Sequence, residues 1–134
     1  MICKVQFKSI RMAQNFVLAG KPYVDWLPYE NTKKRADIFF RSGSPFMQMP
    51  DSLHGNLIKA HVIRNALVHS SGHSKSEFDN KVIGSIPLSP RDSTPIGFLR
   101  SQIRISPIEV RFETVTHGLL DAAKYLCIPG NLND

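Results

Sequence analysis

The sequence predicts an all-α protein, a helical bundle of four to five helices with an irregular proline-rich segment before the last one. Three observations carry the class. Apolar residues recur at spacings of three and four in several stretches, glycines and prolines separate those stretches by short links, and no two alternating runs read as paired strands. A chain of 134 residues with 42% hydrophobic and 21% charged content has the size and composition of one globular domain, so residues 1–134 are read as a single unit.

Each element follows from its local pattern. Residues 2–18 set Cys3, Phe7, Ile10 and Val17 at helical spacing with Lys4, Lys8 and Arg11 between them, and Gly20 and Pro22 stop that helix. After the aromatic stretch 23–29, Asn31 or Thr32 is expected to cap a second helix running to Gly43. Pro45 and Pro50 bracket a loop. Asp51 or Ser52 then caps a third helix, about 52–70, whose apolar residues reach nearly all the way round and therefore belong in a core or an interface.

"HSKSEFDNKV" after Gly72 predicts a short helix, whereas Pro87, Pro90 and Pro95 predict that the next segment holds no regular one. Ile103 and Ile105 alternate with polar neighbours as a brief extended piece. Ser106, Pro107 and Glu109 fit the N-cap, first-turn proline and capping-box acid of a last helix over about 107–126, which Pro129 and Gly130 end.

No apolar run approaches the roughly 18 residues that span a bilayer, and charges interrupt the N-terminus where a signal peptide has an apolar core. A cytoplasmic protein without membrane contact is expected, with Cys3 and Cys127 as reduced thiols because they form neither a CxxC pair nor a disulfide framework. The net charge of +6 is uneven: residues 1–41 carry eight Lys and Arg against three acids, and residues 107–134 carry two against four. Lys33, Lys34, Arg35 and Arg41 are thus candidate nucleic-acid contacts, nucleic acid being the first polyanion to consider; the alternative is a solvated helix face.

The third helix carries the candidate chemistry. In "IRNALVHSSG", residues 63–72, a cation, an amide and an imidazole interrupt an apolar run. At about 100° per residue Asn65 and His69 share a face, while Arg64 diverges from His69 by about 140° and reaches round only through its long side chain. His54 and His61 extend the polar line backward. His61 and His69 lie roughly 12 Å apart along such a helix, too far to grip one ion. His69 and His73 are four apart but meet no nearby carboxylate, so no metal ligand and no cofactor is assigned. Polar residues satisfying a helix end are the plain alternative.

The segment "RNALVH", Arg64 to His69, resembles the RxxxxH signature of HEPN domains, small helical units of prokaryotic defence and toxin systems. The surrounding order strengthens the likeness: Trp26, "RADIFFRSGSPF", "HSSGHSKSEF", "TPIGFLRS" and a final amphipathic helix are similar to the RiboL-PSP-type branch and span most of residues 26–126. The resemblance implies a metal-independent endoribonuclease of a toxin–antitoxin or phage-defence system. It would act as a homodimer with two motifs facing each other across a cleft, with a cognate antitoxin protein as a further partner. Arg64 and His69 would be the catalytic pair and Asn65 the polar residue after the arginine. The tyrosine that some antitoxin-modified relatives carry two positions beyond the histidine is replaced by Ser71.

The residue types suit that chemistry. Metal-free RNA cleavage deprotonates a 2′-hydroxyl, stabilises a phosphorane dianion and protonates a leaving 5′-oxygen. Imidazoles titrate near pH 6.5 in general, so His69 is suited to proton transfer, worth on the order of 10²–10⁴ in rate. Arg64 offers a permanently charged fork of donors to phosphate oxygens, and Asn65 is expected to bind that phosphate or hold the imidazole's tautomer. One histidine cannot be base and acid at once, so a second subunit supplies the other. The alternatives are a non-catalytic nucleic-acid-binding or dimerisation module, and a metal-dependent hydrolase using His69 and His73.

Overall fold

A computed structural model describes residues 6–18 and 28–127. The elements in chain order are α1 (Ile10–Leu18), α2 (Tyr29–Phe39), α3 (Asp51–Val68), α4 (Gly72–Phe78), α5 (Pro95–Arg100), β1 (Gln102–Ile105), β2 (Ile108–Val110) and α6 (Arg111–Cys127). The class is therefore mostly helical, as expected, with one antiparallel two-stranded hairpin among the described residues. No described helix is long and apolar enough to cross a membrane. The described residues group into two compact units, 6–18 and 28–49 with 125–127, and 50–124.

In the first unit aromatic rings do much of the packing. Phe16 of α1 meets Phe39 of α2 edge-on at 5.8 Å, and Phe40 stacks on Phe46 at 5.9 Å. The Arg35 guanidinium donates to the Val17 carbonyl at 2.8 Å. Tyr29 starts α2, is buried, and donates its hydroxyl to the Phe46 carbonyl at 3.0 Å. Burial, with the neighbouring Tyr125 and Glu30, pushes its phenol up to about 12.

The second unit is built round Val62 and Ile63 of α3, Phe78 of α4, Val82 and Phe98 of α5. Phe78 and Phe98 meet edge to face at 5.8 Å, a geometry that adds about 0.5–1.5 kcal/mol to the burial of two large rings. Lys59 and Arg111 each lie over the Phe98 ring, at 5.3 and 5.1 Å. Partial burial, and then the Arg111 charge, hold the Lys59 ammonium below the usual lysine range. Gly118 lets α6 come close to α3, because a Cβ there would stand 2.8 Å from the Asn56 amide nitrogen.

Several expectations are corrected. Ser106 and Pro107 do not open the last helix; they turn a hairpin in which Ile105 pairs with Ile108 and Arg104 with Glu109. The β-branched residues on both sides of the turn satisfy each other's backbone as strands, and α6 starts at Arg111 in place of 107. Its acidic cap is Glu113, which accepts the Val110 N–H at 3.2 Å.

The proline-rich segment, expected to be irregular throughout, contains α5. Thr94 caps it by accepting the Gly97 N–H at 3.0 Å, and Pro95 takes the first helical position, where a missing N–H costs nothing. Gly97 is needed there because a Cβ would lie 1.9 Å from the Arg91 carbonyl oxygen.

The third correction is the helix count, six among the described residues against four to five expected, since α5 is added. α2 also starts at Tyr29 and not after an Asn31 or Thr32 cap, and it ends at Phe39 because Phe40 is extended. α1 begins at Ile10, with Phe7 outside it. Cys127 carries an exposed free thiol; Cys3, Gly20, Pro22, Trp26, Pro129 and Gly130 fall outside the described residues.

Candidate active site

The orientation of α3 follows from its buried pair. Val62 and Ile63 face the Phe78–Phe98 core, which leaves Arg64, Leu67 and Val68 on the outside; Leu67 is 44% and Val68 60% exposed. Residues three and four apart share a helix face, so Arg64, Leu67 and Val68 form one exposed strip of a cation and two aliphatic side chains.

Arg64, Asn65 and His61 are joined side chain to side chain. The Arg64 Nη1 donates to the Asn65 Oδ1 at 3.2 Å, and the Asn65 Nδ2 donates to the His61 Nε2 at 3.0 Å. The arginine has no acceptor, so it fixes which end of the Asn65 amide is oxygen, and the amide in turn requires an unprotonated His61 Nε2. The His61 proton then sits on Nδ1, which is buried and has no hydrogen-bond partner. Such an orphaned donor costs about 1–3 kcal/mol. The Lys81 ammonium, first by hydrogen bond and then by its charge, holds the Glu77 carboxyl of α4 below the usual carboxylate range.

His69 ends α3 and does not continue it. Its backbone N–H donates to the Asn65 carbonyl at 2.8 Å, but its own φ of −114° and ψ of 118° are extended. The shared face predicted for Asn65 and His69 is therefore lost at the last residue, and the imidazole that Asn65 orients is that of His61. Among the described residues no hydrogen bond joins the His69 side chain to Arg64 or Asn65.

His69 instead lines a cleft of about 430 Å³ with Lys75, Asp79, Ser93 and Thr94, over Ala66 and Phe78. Ser71 caps α4 by accepting the Ser74 N–H at 3.2 Å.

The expected basic contacts are divided in their engagement. Lys33 stands 3.6 Å from Glu30 and Arg35 holds Val17, whereas Lys34 and Arg41 are exposed. No group of three or more His, Cys, Asp and Glu is placed to hold a metal among the described residues. His61 was legible as the residue four before Asn65. Lys75 and Asp79 were missed, although their spacing of four marks one helical face.

The chain matches no family profile, no curated protein and no solved structure.

Proposed function

We propose that this chain is a metal-independent endoribonuclease that works as a homodimer, its bundle HEPN-like, with Arg64 and His69 as the catalytic pair. The observation that carries the reading is the exposed strip on α3. A guanidinium is set beside exposed Leu67 and Val68 on α3, with the exposed His69 at the end of that helix, a surface that a second copy would cover while leaving polar groups in the seam. The setting implied by the same resemblance is a toxin or defence effector restrained by an antitoxin.

In this reaction Arg64 uses one donor to hold Asn65 and keeps the rest of its fork for the non-bridging oxygens of the phosphorane. Asn65 is a positioning residue, because both ends of its amide are engaged. His69 takes the 2′-hydroxyl proton, and the partner subunit's histidine returns one to the leaving 5′-oxygen. No metal enters any of these steps.

The test is RNA cleavage in the presence of EDTA by the wild type, Arg64→Ala and His69→Ala. The wild type is expected to cleave and both variants to lose about 10²–10⁴ in rate. Undiminished cleavage by both variants contradicts the assignment.

A further inference from the structure

The cleft beside His69 differs from its surroundings in which polar groups are occupied. Thr94 donates to the Arg91 carbonyl at 3.0 Å and accepts the Gly97 N–H, Ser93 donates to the Ser89 carbonyl at 2.9 Å, and Ser71 accepts the Ser74 N–H. These hydroxyls hold the walls. Lys75 and Asp79 line the same space from α4 and the wide turn after it, yet no ion pair joins them and neither side chain has a hydrogen-bond partner among the described residues.

A cation, an anion and an imidazole, all unengaged round one cleft, suit a ligand that carries both negative charge and hydrogen-bond donors. A volume of about 430 Å³ is in the range of small-ligand sites and fits a single nucleotide. Nucleic-acid bases differ in what they offer a carboxylate. Guanine presents two adjacent donors, N1–H and the N2 amino group, on one edge. Adenine and cytosine present one amino group beside a ring acceptor that repels a carboxylate, and uracil presents one N–H between two carbonyls.

We infer that this cleft is a nucleotide subsite of the ribonuclease, selective for guanosine in the RNA chain, with Lys75 binding a phosphate oxygen and Asp79 accepting from the guanine edge. The inference rests on the ribonuclease reading above and extends it from the reaction to the substrate. With His69 lining the same cleft, a guanosine held there brings its own ribose and phosphate to the imidazole, so cleavage falls next to guanosine.

The experiment titrates each of the four nucleoside 3′-monophosphates into the wild-type 134-residue chain, Lys75→Met and Asp79→Asn by calorimetry, with circular dichroism to verify folding. In parallel it maps the cleavage positions in an RNA containing all four bases. Guanosine 3′-monophosphate is expected to bind at least about tenfold more tightly than the others, Asp79→Asn to erase that preference, and Lys75→Met to weaken all four by about tenfold. Equal binding of the four by the wild type, or an unchanged preference in Asp79→Asn, overturns the inference. Cleavage that depends on His69 but ignores guanosine overturns the subsite and leaves the ribonuclease reading standing. Guanosine-selective binding without any cleavage does the reverse.

Discussion

The two sides of the α3 C-terminus hold their polar groups in opposite ways. On one side Arg64, Asn65 and His61 are chained at 3.2 and 3.0 Å, so each constrains the next. On the other, His69, Lys75 and Asp79 line an open cleft with side chains that have no hydrogen-bond partner among the described residues. Engaged groups keep a geometry at the expense of freedom to meet a ligand; unengaged groups are available and depend on that ligand for order. In the proposed enzyme the first side holds the phosphate clamp in position and the second performs proton transfer and recognition.

The comparison is sharpened most by His69→Ala. On an exposed side chain it is expected to cut cleavage by about 10²–10⁴ while unfolding free energy, followed by thermal denaturation, stays within about 0.5 kcal/mol. A large loss of stability would move His69 to the structural side.

Asn65→Ala breaks the chain in the middle, and urea titration is expected to register about 1 kcal/mol of destabilisation together with a several-fold fall in cleavage. His61→Leu should cost less, because it also removes the buried orphaned Nδ1–H. Stability equal to or above the wild type, with cleavage reduced less than in Asn65→Ala, is the expected pair of readings. If His61→Leu were as inactive as His69→Ala, the division of labour between the two sides would be broken.

The smallest effect is a control placed in the other unit. A phenol raised from 10 to about 12 on folding contributes stability that is complete below pH 10 and is lost as the pH rises through 12. Denaturant titrations at pH 9 and 11.5 should therefore show a smaller alkaline loss in Tyr29→Phe than in the wild type, with cleavage at neutral pH little changed.

What the sequence made legible was set by local pattern. α3 was expected over 52–70 and runs Asp51–Val68, because its apolar spacing and a proline just before it act within a few residues. The hairpin was hidden by Ser106, Pro107 and Glu109, which look like a helix start until Ile105 and Ile108 pair across them. α5 was hidden because Pro95 was read as a breaker when it occupies the first turn.

Among the site residues, Arg64 joins Asn65 through its long side chain, the reach that its divergent position on the helix requires. His69 departs because Ser70 and Ser71 begin the next cap, so periodicity fails one residue too soon. That Lys75 and Asp79 line one cleft with no ion pair between them depends on how α4 packs, which no local pattern encodes.

The central claim is that one RNA bond is cut by two subunits. It is tested most directly by mixing wild type with increasing fractions of His69→Ala, allowing subunits to exchange, and measuring RNA cleavage in EDTA at constant total protein. If each site needs a histidine from both copies, activity falls as the square of the wild-type fraction; a linear fall would mean that each chain cuts alone and would contradict the two-subunit site.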